Sequence, residues 1–216
     1  MTKISSIFAM IFAMIFSISG TTLASGDVAK GKAKAQTCIG CHGVGGNSVV
    51  PNFPKLAGQN QGYLLKQLQD FKSGNRFDAV MKGIVTPLTD ADMNNLAAYY
   101  AQQTPINSPV KRSDDFVLGQ SIYRGGKKND GVTACIACHG PRGKGIPSAN
   151  FPALSAQHSA YVIKQLKDFR QHSINEQTGD SKPSRTNDFE GVMINFIKSL
   201  TNVEINAVAR YIAGLH

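Results

Sequence analysis

The chain has 216 residues, four cysteines, no tryptophan and a formal charge of +9. That length exceeds what one small module needs and allows one or two domains. A balance this basic favours acidic protein surfaces, anionic lipid or nucleic acid without choosing among them.

The first 24 residues carry Lys3 as their single charge, then an apolar run from Ile7 to Phe16, then small polar residues ending at Ala24. This is the layout of a secretory signal peptide, read as residues 1–24 with cleavage after Ala24. Its apolar core is about half the roughly 20 residues that span a bilayer, so the mature form is expected to have no membrane-spanning segment. Loss of Lys3 takes the charge from +9 to +8. Export argues against nucleic acid as a partner and for an oxidising compartment.

Helical patterns follow in order. Val28 to Gln36 reads as an opening helix, and Tyr63 to Phe71 carries apolar residues at helical spacing. Thr89-Asp90-Ala91-Asp92 reads as a capping box opening a closing helix that contains Tyr99. The polar, proline-punctuated stretch 104–115 reads as a linker. The same series then starts again with Phe116 to Tyr123, Tyr161 to Phe169 and Thr201-Asn202-Val203-Glu204.

The agreement between the halves goes beyond helix order. Cys38-Ile39-Gly40-Cys41-His42-Gly43 returns as Cys135-Ile136-Ala137-Cys138-His139-Gly140, and Asn52-Phe53-Pro54-Lys55-Leu56 as Asn150-Phe151-Pro152-Ala153-Leu154. Met81, followed by Leu88-Thr89 and Tyr99, returns as Met193, followed by Leu200-Thr201 and Tyr211. The chain therefore reads as all-α and duplicated, with domains at 25–103 and 116–216. Gly31 and Gly119 on the opening helices leave room for a close approach, with Tyr99 and Tyr211 as the expected neighbours. The bland reading of these glycines is a loosened helix.

In Cys-x-x-Cys-His two thiols can add to the vinyl groups of a haem while the next imidazole reaches its iron. Cys38 and Cys41, then Cys135 and Cys138, would each anchor one haem c, with His42 and His139 as axial ligands. The rivals are local disulfides, a thioredoxin-like pair, or one zinc held by four thiolates. None of them requires a histidine after each pair. For the sixth iron position, three methionines remain after residue 24: Met81, Met93 and Met193. Met81 and Met193 share a frame, whereas Met93 aligns with Ile205 inside the closing helix and reads as core. His158 and His172 are rival ligands in the second copy without a repeat partner. Two haems would add four propionates, offsetting about half of the positive charge if all ionise.

These residues resemble the dihaem cytochrome c4 family, two class I cytochrome c modules in tandem. The resemblance extends over nearly the whole mature chain. It rests on both haem motifs, the Asn-Phe-Pro-x-Leu segments, the Tyr-x-x-Lys-Gln-Leu-x-Asp-Phe helices, and the closing Tyr211-Ile212-Ala213-Gly214-Leu215-His216. It implies that Pro54 and Pro152 offer carbonyls to the rings of His42 and His139. It also implies a periplasmic carrier in a respiratory chain, moving electrons from a cytochrome bc complex or a dehydrogenase to a terminal oxidase or reductase, with no catalytic residues. The alternatives are an electron-accepting subunit, as in flavocytochrome c sulfide dehydrogenase, or a dihaem enzyme such as a peroxidase or thiosulfate dehydrogenase. The segment 171–189 departs from the first copy as an Asn- and Ser-rich insertion of about fifteen residues, read as a loop following Phe169. Lys127, Lys128, Arg142 and Lys144 lie near the second motif, where the first copy has Val44 to Asn47, and predict docking to acidic patches on redox proteins.

Overall fold

The computed structural model describes residues 26–107, 109–110 and 113–216. The predicted signal peptide, and Ser108, Lys111 and Arg112 of the predicted linker, lie outside the described residues. Among the described residues no helix is long and apolar enough to cross a membrane.

The first half contains α1 (Val28–Lys34), α2 (Ile39–His42), α3 (Gln61–Ser73), α4 (Ala79–Val85) and α5 (Asp90–Ala101). The second repeats the order with α6 (Asp114–Gly125), α7 (Ile136–His139), α8 (Ser159–Thr178), α9 (Val192–Ile197) and α10 (Asn202–Ala213). Outside the helices, two isolated β-bridges among the described residues pin loops, Lys127 to Val132 and Ile146 to Phe151.

Local chemistry sets the helix starts. Asp27 accepts the backbone N–H groups of Ala29 and Lys30 and so opens α1. Both capping boxes form: Thr89 with Asp92 at α5, and Thr201 with Glu204 at α10. In each half the opening and closing helices cross at a glycine. A Cβ on Gly31 would lie 2.1 Å from the Asn95 carbonyl oxygen and 2.8 Å from the Tyr99 Cβ. One on Gly119 would lie 2.0 Å from the Ala207 oxygen and 3.0 Å from the Tyr211 Cβ. These glycines are therefore contact surfaces, and the neighbours are the tyrosines expected from the repeat.

Each half has its own apolar core. Leu64, Phe71, Val85, Leu88, Met93 and Leu96 fill the first, and Val162, Leu166, Ile197, Ile205, Val208 and Ile212 the second. The two cores solve one space differently. The first buries Tyr100 from its closing helix, whereas the second buries Tyr123 from its opening helix. Aligned on the crossing glycines and tyrosines, Ala35 stands where Tyr123 does, and Ile212 where Tyr100 does. Bulk lost on one helix is restored by the other, as core packing density requires.

The insertion is not a loop throughout. α8 runs on to Thr178, twenty residues against thirteen in α3, which places His172 inside the helix rather than after it. Pairs four apart account for the extension: Gln171 donates to Asn175, His172 faces Glu176, and Gln177 donates to Ser173. A left-handed Gly179 at φ +75° ends it.

The halves meet through reciprocal polar contacts. Arg76 donates to Gln67 at 2.7 Å on its own side, and to Gln165 at 2.6 Å and Tyr161 at 3.0 Å across the interface. Arg185 donates to Gln165 at 2.9 Å on its own side, and to Gln67 and Tyr63, both at 3.1 Å, across it. Each guanidinium also stacks on a phenylalanine of its own half, Arg76 at 4.6 Å from the Phe71 ring centre and Arg185 at 4.5 Å from that of Phe169. Both backbones return to the same place, Arg76 N–H on Asp70 O and Arg185 N–H on Asp168 O, each at 3.0 Å. The insertion thus leaves the helix line and delivers an arginine to the position that Arg76 occupies in the first half.

Candidate haem sites

In each half the first motif cysteine directly precedes a single helical turn and the second lies within it. Cys38 closes a 3-10 segment and Cys41 lies in α2; Cys135 precedes α7 and Cys138 lies within it. A glycine at φ +74° ends each turn, Gly43 and Gly140. All four thiols are free of disulfides, and the two motifs sit in separate cores. Among the described residues no three His, Cys, Asp or Glu side chains gather as a zinc site would need.

His42 and His139 are 8% and 6% exposed. Each ring donates a hydrogen bond to a proline carbonyl, His42 Nδ1 to that of Pro54 at 2.9 Å and His139 Nδ1 to that of Pro152 at 3.0 Å. A carbonyl can only accept, so Nδ1 carries the proton and Nε2 keeps its lone pair. Burial holds both imidazoles below their usual pKa, opposed by the proline contact. A neutral ring with a free Nε2 is what iron ligation asks for. The Cys135 thiol, pushed up to about 11 chiefly by burial, suits a neutral thioether better than a thiolate.

The methionines sort as follows. Met93 is 1% exposed in the first core. Met81 and Met193 are only partly buried, and each packs against the core that its module's first motif cysteine also borders, Cys38 or Cys135. Both lie in the first turn of a short helix opened by an aspartate: Asp78 accepts the Met81 N–H at 3.0 Å, and Asp188 the Met193 N–H at 2.7 Å. The rival histidines are occupied elsewhere. His158 Nε2 meets the Ser48 carbonyl of the other half at 2.8 Å, and His172 Nε2 lies 3.4 Å from Glu176 on α8.

The donor set of each half fits haem c: two unbridged thiols, a neutral buried imidazole with its Nε2 free, and a thioether against the same core. The nearby apolar side chains Phe77, Val80 and Ile84 around Met81 are 75%, 64% and 42% exposed, a surface that a large apolar group would cover.

Three features were missed at the sequence level. Tyr100 is buried beside the Cys38 thiol and Tyr123 near Cys135, and burial raises both phenol pKa values; Tyr123 donates to the Gly140 carbonyl at 2.7 Å. Arg76 and Arg185 escaped because the insertion breaks their frame. Gln59 and Gln157 recur in frame, three residues after Leu56 and Leu154, so the repeat carried that signal. Of the four basic residues expected near the second motif, one is paired. Lys127 is held by Asp130 at 2.5 Å and Glu204 at 2.8 Å, so its charge is offset. Lys128, Arg142 and Lys144 remain exposed.

Comparison with known proteins agrees with this plan. The family model described as Cytochrome c matches twice, at residues 28–104 and 118–216. Cytochrome c4 of Pseudomonas aeruginosa is 44% identical over 201 residues, 92% of this chain and 94% of that protein. The crystal structure of reduced recombinant cytochrome c4 from Pseudomonas stutzeri superposes with a TM-score of 0.81 at 41% identity, covering 88% of this chain and all of that one. A thiosulfate dehydrogenase electron acceptor of Thiomonas intermedia is 34% identical over 184 residues, 84% of this chain and 79% of that protein. The chain belongs to the cytochrome c4 family: it is an electron-transfer protein of two tandem cytochrome c modules, with two haem c groups.

Proposed function

We propose that this protein is a periplasmic carrier in a respiratory chain, taking electrons from a cytochrome bc complex or a dehydrogenase to a terminal oxidase or reductase. Its modules are residues 25–103 and 116–216, joined by 104–115 after removal of residues 1–24. Cys38 and Cys41 hold one haem with His42 and Met81 as axial ligands, and Cys135 and Cys138 the other with His139 and Met193. Haem c supplies the one-electron change; the chain fixes ligand and ring orientation and excludes water. The observation that carries this reading is the duplicated donor set. Two filled axial positions per iron favour electron exchange over substrate binding, so the protein is read as a carrier rather than an enzyme.

The ligation is testable by absorption. The oxidised protein should show the weak iron–thioether charge-transfer band, and Met81→His and Met193→His should each remove about half of it while lowering the potential of one haem. A band that survives both changes refutes methionine ligation.

A second reading is an acceptor held by a dehydrogenase, favoured by the 34% identity to the thiosulfate dehydrogenase electron acceptor. Copurification with a dehydrogenase at stoichiometric yield would select it. For free docking, the exposed Arg142 and Lys144 are the steering charges. Arg142→Glu with Lys144→Glu should slow electron exchange with an acidic redox protein by about tenfold at low salt, and flatten its salt dependence, since screening acts over about 10 Å at 0.1 M. Val44→Glu with Val49→Glu, at the exposed apolar edge of the first module, should do much less. Equal effects at both sites would discard the steering role.

A further inference from the structure

Beside the arginine network, the modules are joined by two glutamines that clamp backbone. Gln157 accepts the Lys55 N–H at 2.9 Å and donates to the Lys55 carbonyl at 3.0 Å. Gln59 does the same to Ala153, accepting its N–H at 2.7 Å and donating to its carbonyl at 2.8 Å. Both side chains are buried, at 8% and 9% exposure for Gln59 and Gln157. Each amide oxygen also accepts the N–H of the next residue, Asn60 at 2.9 Å and His158 at 3.1 Å, which fixes which way the amide faces.

The clamped residues are not arbitrary. The Lys55 N–H and the Pro54 carbonyl belong to one peptide group, and that carbonyl holds His42 Nδ1. The Ala153 N–H and the Pro152 carbonyl form the equivalent group at His139. Each histidine therefore heads a chain of two hydrogen bonds through one peptide to a glutamine of the other module. Donation from the N–H end of a peptide makes its oxygen a better acceptor, strengthening a linked bond by about 10–30%. A stronger acceptor on Nδ1–H makes Nε2 a more basic ligand. Basic ligands favour the oxidised iron.

We infer that Gln59 and Gln157 are positioning residues that act across the interface, Gln157 lowering the reduction potential of the haem at His42 and Gln59 that of the haem at His139. This rests on His42 and His139 being axial ligands, as proposed above. Each half of the protein would then adjust the redox site of the other, and opening of the interface would raise both potentials.

The test uses the full dihaem protein and resolves the two potentials by redox titration followed by NMR. In Gln157→Leu the haem at His42 should become easier to reduce by about two- to threefold, roughly 18–28 mV at 59 mV per tenfold, with the other haem unmoved. Gln59→Leu should give the opposite assignment. In the reduced protein the ring N–H resonance of the affected histidine should move upfield, reporting a weaker hydrogen bond. Gln157→Glu keeps an acceptor for the Lys55 N–H and should not raise the potential. The ring-current-shifted imidazole protons of His42 and His139 in the unaltered protein test ligation separately. With those in place, a shift confined to the same module, an equal shift of both haems, no shift, or a rise in Gln157→Glu matching that in Gln157→Leu would overturn the inference.

Discussion

Cys135→Ala with Cys138→Ala is expected to yield a protein with one covalent haem, its intact mass lower by one haem beyond the two sulfur atoms. Haem staining after denaturation should fall by half. The loss of core packing should stay within the second module, because its core is separate: Cys135 packs against the cluster that contains Val162, Leu166, Ile197 and Ile205, which shares no residue with the first cluster. A module of roughly ninety residues has a marginal apolar core of its own, and the porphyrin is its largest apolar piece. The second module should therefore lose fixed packing, seen as faster amide exchange in α9 and α10, while α1 to α5 stay protected. Retention of two haems would show that the motif cysteines are not the attachment points.

The second large effect needs only one methyl group. Gly119→Ala sets a Cβ at 2.0 Å from the Ala207 oxygen, which is backbone of α10 and cannot swing aside. The crossing of α6 and α10 must open, displacing the buried Tyr123 and Tyr211 that pack there. Overpacking of this kind costs about 1–3 kcal/mol and occasionally more, and each kcal/mol lowers the melting midpoint of a domain this size by about 4–8 °C. Gly125→Ala, six residues along the same helix with nothing within 4 Å of the new Cβ, should change stability by no more than about 1 kcal/mol. Thermal melts of the two variants check the contrast; equal melting points would mean the crossing is looser than the distances say.

These effects show which kinds of information a sequence carries. Gly31 and Gly119 were identifiable, and Met81 and Met193 stand out as candidates, because duplication wrote each pattern twice in one frame, turning a weak single-residue signal into a specific coincidence. Met93 was assigned to the core by the same logic, from the lack of a methionine in the matching position. The capping boxes were readable because their chemistry is confined to four residues. Part of what escaped depends on long-range geometry and part on local polar chemistry. The ion pair from Lys127 to Glu204 joins residues in different elements, so a basic cluster looked freer than it is. The helical continuation through Thr178 is held by polar pairs four apart, invisible to a search for apolar periodicity. Arg76 and Arg185 stand five and sixteen residues beyond Phe71 and Phe169, and nothing local says that both chains end at one place.

That return of Arg185 has a consequence for how such a chain can diverge. The contact between the halves is isologous in character: both arginines meet Gln67 and Gln165, and each meets the tyrosine of the opposite half, Arg76 with Tyr161 and Arg185 with Tyr63. A substitution at one of these positions alters both a residue and the partner of its twin, so drift there must be paired. Away from the seam each half is free to change alone, as the exchange of Tyr100 for Tyr123 shows. Even a long addition is admissible, provided the polypeptide comes back to stack a guanidinium on Phe169 and reach across to Tyr63. The seam between the halves thus holds the duplication in place as the haem motifs do, while the surfaces away from both are where the two copies are free to differ.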